Sequence, residues 1–147
     1  MKSPMEFGSM FGNGMRAVDT NILVRLIVQD DRRQAASADV FIEKGAWVPI
    51  LVLAEAIWVL ATVYGRDAAA LATAVELLLN HRTLILQDAD IVTTALDVFR
   101  SRPGLGFSDC LILELARKAG HLPLGTFDRR LAKMDGAQMV SPAAVPR

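Results

Sequence analysis

The chain has 147 residues, 52% of them hydrophobic, and its 16 basic and 16 acidic side chains leave no formal net charge. A chain of this length and composition forms one globular domain with a sizeable core, and a disordered protein is excluded. Zero net charge also excludes a protein that binds a polyanion through its overall charge, so any contact with nucleic acid has to be local.

The ends of the chain differ from its middle. Residues 1–14 are rich in glycine and small residues and contain no apolar run long enough for a signal peptide. We interpret 1–14 as a disordered extension or a cloning tag, 15–141 as the folded domain and 142–147 as a tail. The single cysteine, Cys110, lies in an apolar run and cannot form an internal disulfide, which favours a core thiol in a cytoplasmic protein.

Short apolar strands alternate with helical patterns along the rest of the chain. The predicted strands cover about 15–18, 46–50, 84–86, 122–125 and 137–140, and the predicted helices cover 21–28, 31–44, 51–64, 67–79, 88–100, 109–118 and 127–133. This alternation predicts an α/β fold with a central, mostly parallel sheet of about five strands and helices on both faces.

The segment 46–64 has a second interpretation. Its nineteen residues contain one charge, at Glu55, and resemble a membrane span in a hydropathy scan. Pro49 and the charge near the middle argue against a span, and we expect a buried strand followed by a buried helix. The sequence therefore predicts a protein without a membrane partner.

Four acidic residues lie where an acid is costly or where a predicted strand ends. Glu55 and Asp109 lie on helical faces that are otherwise apolar, and Asp19 and Asp128 follow short apolar strands. Parallel strands bring their C-terminal ends to one edge, so the four acids can converge there. Buried carboxylates require a cation, and oxygen ligands without clustered His or Cys suit Mg²⁺ or Mn²⁺. The pattern predicts metal-assisted phosphoryl chemistry.

Another interpretation stays open for each of these acids separately, because an acid in the first turn of a helix also serves as a cap or dipole partner. The same holds for the neighbouring polar side chains, which either orient the acids and the metal-bound water or cap helices: Thr20, Asn21, Ser108 and Thr126. Two further acids, Asp88 and Asp90, follow the third strand and are interpreted as first-turn acids. We expect both histidines at helix C-termini, outside the site.

Four stretches then match one family in order and spacing. They are Val18-Asp19-Thr20-Asn21, Val48-Pro49-Ile50-Leu51-Val52-Leu53-Ala54-Glu55 with Trp58-Val59-Leu60, Phe107-Ser108-Asp109-Cys110-Leu111-Ile112, and Thr126-Phe127-Asp128-Arg129-Arg130-Leu131. With these stretches the chain resembles the PIN-domain ribonucleases, and among them it is similar to the VapC-type toxins of bacterial toxin–antitoxin pairs.

This resemblance implies a three-layer PIN-like fold and cleavage of RNA phosphodiester bonds with Mg²⁺ or Mn²⁺. It assigns the metal to Asp19, Glu55, Asp109 and Asp128, a supporting hydroxyl to Thr126 and a polar group to Asn21. It also implies a homodimer and inhibition by a cognate VapB-type antitoxin. The extension before Met15 and the cysteine at position 110 depart from the family pattern without touching a ligand.

Basic residues near the acidic edge fit an RNA substrate. Arg25, Arg129 and Arg130 are our candidates for binding the substrate phosphates, with Lys133 beside them. Since an acidic pocket repels RNA until cations offset its charge, we expect activity to fall with salt.

Two other functions remain as alternatives. One is a different metal-dependent phosphoryl hydrolase, although Asn21 occupies the position where a haloacid-dehalogenase-type phosphatase needs a second Asp. The other is a non-catalytic binding module that uses the PIN fold for protein contact, against which the complete set of four acids argues.

Overall fold

The computed structural model describes residues 15–146, so the interpretation of residues 1–14 lies outside the described part of the chain. Five strands and seven helices follow one another within it. They are β1 (Arg16–Ala17), α1 (Thr20–Ile27), α2 (Arg32–Ile42), β2 (Ala46–Val48), α3 (Ile50–Thr62), α4 (Ala68–Leu79), β3 (Leu84–Leu86), α5 (Ala89–Ser101), α6 (Phe107–Ala119), β4 (Leu124–Thr126), α7 (Arg129–Ala132) and β5 (Ala137–Met139).

All strands pair in parallel, which confirms the predicted α/β class, but they form two sheets where one was expected. The first sheet has the order β1-β2-β3, with Ala17 beside Trp47 and Trp47 beside Ile85. The second contains β4 and β5, with Gly125 beside Gln138. Strand β1 has two residues and pairs only with β2, so its other side carries no ladder that would join the sheets.

Local signals set most helix ends. Asp19, Asp31 and Asp67 each precede a helix and accept a hydrogen bond from the backbone N–H three residues later. Gly120 ends α6 with φ 81°, a left-handed conformation that a glycine adopts without strain. The expected cap at Ser108 is wrong, because α6 begins two residues before Asp109, at Phe107.

The early start of α6 has a packing cause. Phe107 is buried and its ring meets the ring of Phe99 edge to face, with the centroids 5.7 Å apart. The helix therefore begins at Phe107, with Gly106 in extended conformation at the N-cap position. Ser108 lies inside the first turn, next to Asp109.

Helix α3 divides its apolar side chains between the core and the surface. Leu53, Ala56, Ile57 and Leu60 are buried, and burial of a leucine stabilises the fold by about 1.5–3 kcal/mol. Leu51 and Trp58 remain 67% and 63% exposed. The prediction of a buried helix is thus right for one side of α3 and wrong for the side that carries Leu51 and Trp58. Among residues 15–146, no helix combines the length and the apolar composition that a membrane crossing requires.

Candidate functional site

Two of the predicted acids, Asp109 and Asp128, lie in one small pocket. Asp109 belongs to the first turn of α6 and Asp128 directly precedes α7. The pocket has a volume of about 340 Å³, and its remaining wall residues are Gly104, Leu105, Gly106, Arg129 and Arg130. We call Asp109 and Asp128 the downstream pair.

The two carboxylates of the downstream pair repel each other. Partial burial raises the pKa of the Asp109 carboxyl above its ordinary value, and the negative charge of Asp128 raises this pKa further, opposed in part by the Gly106 backbone. A cation bound between the two side chains would offset both effects. A metal ion at this position would therefore stabilise the ionised form of Asp109.

Backbone hydrogen bonds hold Asp128 in place. Its Oδ1 accepts hydrogen bonds from the N–H groups of Arg130 (2.7 Å) and Leu131 (3.0 Å). The Thr126 hydroxyl accepts one from the N–H of Asp128 itself, at 3.0 Å. Because both bonds to the carboxylate use Oδ1, its Oδ2 remains for another partner. Thr126 lies where we expected a supporting hydroxyl.

The other two acids, Asp19 and Glu55, form what we call the upstream pair. Asp19 precedes α1, and its Oδ1 accepts a hydrogen bond from the N–H of Ile22 at 3.1 Å. The next residue, Thr20, donates from its hydroxyl to Oε2 of Glu55 at 2.7 Å, which ties α1 to α3. Asn21 is exposed on α1. The expectation that Glu55 lies on a buried face is wrong, because this side of α3 faces solvent.

The two pairs do not merge into one metal cluster. Within the part of the chain that the structure describes, no three His, Cys, Asp or Glu side chains are arranged to hold one ion. The downstream pair still fits Mg²⁺ or Mn²⁺ by donor type, since Mg²⁺ is commonly held by one or two carboxylates together with water and substrate phosphates. Asp19 and Glu55 lie outside this two-carboxylate arrangement.

A second hollow lies between the elements that carry the two pairs. Its volume is about 240 Å³, and its walls include Ala54 and Trp58 of α3 and Phe107 and Ser108 of α6. Leu105 and Gly106 line both this hollow and the pocket of the downstream pair. Ser108 therefore lies beside α3 as well as beside Asp109.

The predicted phosphate-binding arginines separate into two groups. Arg129 and Arg130 line the pocket of the downstream pair, and Arg130 also donates to the carbonyl oxygen of Gly104 at 3.1 Å. Arg25 lies in the last turn of α1, where it donates to Asp30 (2.6 Å) and Gln34 (2.7 Å). The structure thus gives Arg25 other partners and does not bring it to the downstream pair.

Asp88 and Asp90 do not line the pocket of the downstream pair. Asp90 lies in the first turn of α5, as predicted, whereas Asp88 is at its N-cap position. Both lie within 3.4 Å of Nζ of Lys118, in the last turn of α6. Lys118 follows Asp109 by nine residues, which corresponds to about 13 Å along a helix axis. The pKa of Asp90 is lowered, chiefly by its hydrogen bond with Lys118, so this carboxylate already has its cation.

Sequence reasoning missed Gln87. Its side-chain oxygen accepts a hydrogen bond from the N–H of Ile50 at 2.9 Å and so caps α3, the helix that carries Glu55. Pro49 at the N-cap position has no side-chain acceptor, so the first N–H of α3 needs one from elsewhere. The sequence therefore showed that this N–H needs an acceptor, but it did not show that Gln87 supplies it.

Sequence reasoning also missed Glu114. It is the one buried charged side chain among residues 15–146, at 8% exposed, and it accepts a hydrogen bond from Nε of Arg117 at 3.3 Å. The pair at positions i and i+3 of one helix was visible in the sequence. Since Glu114 has this local partner, its burial has a structural explanation.

Comparison with known proteins identifies a family for the chain. No curated protein matches the chain. The PIN domain family matches residues 16–137, which include all four predicted acids and most of the chain. The chain therefore belongs to the PIN domain family, whose members are typically metal-dependent nucleases.

Proposed function

We propose that the protein is an endoribonuclease of the VapC type, which hydrolyses RNA phosphodiester bonds with a Mg²⁺ or Mn²⁺ site. One observation carries the proposal: Asp109 and Asp128 share a pocket with Arg129 and Arg130. Carboxylates that need a cation thus lie beside guanidinium groups that bind phosphate, the combination that metal-dependent cleavage of a nucleic acid requires.

Different residues would bind the metal ion, bind the RNA phosphates and orient the acids. Asp109 and Asp128 would hold the divalent ion, and Asp19 and Glu55 would supply the remaining carboxylates of the site. A bound ion supplies an activated water and stabilises the leaving oxygen. Arg129 and Arg130 bind the phosphates on either side of the cleaved bond. The polar neighbours orient the acids: Thr20, Asn21, Ser108 and Thr126.

For Thr20 and Thr126 this role rests on their hydrogen bonds. Thr20 donates to Glu55 and so fixes the direction of that carboxylate. Thr126 accepts from the backbone of Asp128 and fixes the turn that presents it. For Ser108 the support is its position next to Asp109. For Asn21 the support is its position two residues after Asp19.

We further propose a cytoplasmic homodimer that a VapB-type antitoxin inhibits. A groove of about 710 Å³ offers the antitoxin an apolar surface, and its walls include Leu26 and Ile27 of α1 and Leu77 and Leu78 of α4. Leu77 is 64% exposed there. Val24 of α1 and Val28 directly after it are buried and so do not belong to this surface. Residues 15–141 form the PIN domain of this proposal, followed by the tail 142–147.

The proposal is tested by incubating the purified protein with a mixed pool of single-stranded RNA and, in parallel, single-stranded DNA of the same sequences. We expect RNA cleavage with Mg²⁺ or Mn²⁺, none with EDTA, and loss of cleavage in Asp19→Asn and Asp109→Asn. Asp97→Asn on α5 is the matched control, since it removes an exposed acid outside both pairs. Equal cleavage of RNA by Asp109→Asn and by the unchanged protein would refute the assigned site, and cleavage of DNA alone would refute the substrate.

A non-catalytic binding module is the second candidate, and one observation favours it: the absence of a three-carboxylate group among residues 15–146. The two candidates differ in metal binding. A nuclease of this kind is stabilised by Mg²⁺ or Mn²⁺, so Tm rises with metal concentration. A Tm that is unchanged by either ion, together with no cleavage, would favour the binding module.

A further inference from the structure

Trp58 is an exposed aromatic side chain beside the proposed site. It lies three residues after Glu55, so the two side chains share one side of α3. Although 63% of Trp58 is exposed, its neighbours Ile57 and Leu60 are buried. The indole thus stands at the surface next to an acid of the upstream pair, and the core does not account for it.

The hollow beside Trp58 is apolar and small. Its walls include Trp58 and Ala54 on one side and Pro103, Leu105 and Phe107 on the other. With about 240 Å³ it lies below the range of pockets that hold drug-sized molecules, roughly 300–1,000 Å³. A cavity of this size and lining suits one flat ring system.

The position of the hollow indicates what the ring belongs to. Leu105 and Gly106 separate it from the pocket that contains Asp109, Asp128 and the phosphate-binding arginines. A ligand that occupies both cavities carries a flat apolar group directly beside an anionic group. A nucleotide within a single strand has this combination, and proteins bind such strands by stacking bases on aromatic side chains.

We infer that Trp58 and the adjoining hollow form a base-binding subsite, which stacks an unpaired nucleobase of the RNA while the neighbouring phosphate lies against Arg129 and Arg130. This inference rests on the proposed ribonuclease function and adds to it an aromatic contact with the substrate outside the acidic pocket. The base that occupies the hollow has to be unpaired, because a paired base is not free to enter it. Stacking recognises the face of the base, so the subsite tolerates different bases.

A protein partner is the competing occupant of this surface, and Leu51 separates the two. Leu51 is 67% exposed and lies seven residues before Trp58 on the same side of α3, but it does not line the hollow. A protein that covers α3 would contact both side chains. A nucleobase in the hollow would contact Trp58 and would not contact Leu51.

The experiment measures binding of short single-stranded RNA in the presence of Mg²⁺ to protein that carries Asp109→Asn, which prevents cleavage. With Trp47→Phe added, Trp58 is the remaining tryptophan, and we expect RNA to quench its fluorescence. Trp58→Ala should weaken binding by about tenfold, Trp58→Phe should retain most of it, and Leu51→Ala should leave it unchanged.

An oligonucleotide with one abasic position adds a direct test of stacking. The abasic RNA should bind protein that retains Trp58 as weakly as normal RNA binds the Trp58→Ala variant. Abasic RNA and the Trp58→Ala variant together should show no further loss of affinity. If Trp58→Ala lowers Tm, the Trp58→Leu variant is used in its place, since leucine keeps the apolar bulk and removes the aromatic face.

The outcomes distinguish this inference from the proposed function. Equal losses in Leu51→Ala and Trp58→Ala, or a change of oligomeric state in either, would identify a protein interface and refute the subsite. RNA affinity that is unchanged in both Trp58→Ala and Trp58→Leu would refute it as well, even if the protein cleaves RNA. Conversely, if the Asp109→Asn protein binds RNA and is quenched as expected but the protein without this substitution cleaves no RNA, the ribonuclease is refuted and the subsite stands.

Discussion

The upstream and downstream acids differ in how their charges are satisfied. Asp19 is bound to the start of α1 and Glu55 accepts the hydroxyl of Thr20, and both residues are exposed. Asp109 is partly buried, and both burial and the charge of Asp128 disfavour its ionised form. The upstream acids are thus stabilised by water and hydrogen bonds. In the downstream pair Asp128 accepts two backbone hydrogen bonds, whereas Asp109 is partly buried beside the like charge of Asp128. The comparison teaches that metal affinity should centre on the downstream pair.

The largest effect is expected from Asp109→Asn, which tests this centre directly. Cleavage should fall by about 10²- to 10³-fold, because one of the two carboxylates that would hold the metal ion is lost, and with it the charge stabilisation that the ion gives to the transition state. The increase in Tm that Mg²⁺ or Mn²⁺ produces should disappear. The metal-free variant should melt at a higher temperature than the unchanged protein, since a partly buried, repelled carboxylate is removed.

Glu55→Gln sharpens the same comparison. It should reduce cleavage while the metal-induced increase in Tm persists, because the downstream pair is intact. Thermal melting with and without metal measures both variants. If Glu55→Gln abolishes the metal-induced shift and Asp109→Asn preserves it, the comparison between the two pairs is reversed.

An intermediate effect is expected from the arginines, since only two of the three candidates lie beside the downstream pair. Arg129→Gln should weaken RNA binding and reduce the slope of log K against log salt by about 0.7, the value for one phosphate contact with a single strand. Arg25→Gln should leave this slope unchanged, because Arg25 is bound to Asp30 and Gln34.

Titrating the salt dependence of RNA binding by fluorescence anisotropy measures these slopes. Arg130→Gln is the less direct variant, since Arg130 also holds the carbonyl of Gly104. A slope that changes with Arg25→Gln and not with Arg129→Gln would place the RNA along α1 instead.

The smallest effect concerns stability and separates capping from metal binding. Asp19→Ala should lower the free energy of unfolding by about 1 kcal/mol, because α1 loses the acceptor for the N–H of Ile22. Asp19→Asn should cost less, since an asparagine oxygen can accept the same hydrogen bond. Urea denaturation without metal measures the difference. If both variants are as stable as the unchanged protein while both lose cleavage, the charge of Asp19 serves cleavage and its cap does not stabilise α1.

Much of the local structure was predictable from the sequence. The extent of β3 and the helix at 68–79 agree with their apolar patterns to within a residue, and Gly120 ends α6 as predicted. The PIN domain assignment is confirmed as well. These features depend on chemistry between residues at most a few positions apart, or on motifs in a fixed order.

The exposure of Glu55 could not be predicted in the same way. Periodicity shows that Leu51 and Trp58 share its side of α3, but it cannot show whether another element covers that side. The same limit applies to Arg25, whose partners Asp30 and Gln34 lie just beyond α1 and compete with any phosphate. It also applies to the break between the two sheets.

The sequence by itself determined the family and the parallel α/β class, and it predicted four acids for the site, because periodicity, capping and motif order are written along the chain. The tertiary structure alone decided that Asp109 and Asp128 share a pocket, that Thr20 binds Glu55, and that Trp58 borders a hollow next to that pocket. Asp109 and Asp128 lie 19 positions apart, Thr20 and Glu55 lie 35 positions apart, and the residues of that pocket lie further still from Trp58 along the chain. Their geometry follows from how the helices pack against one another, which no local pattern specifies.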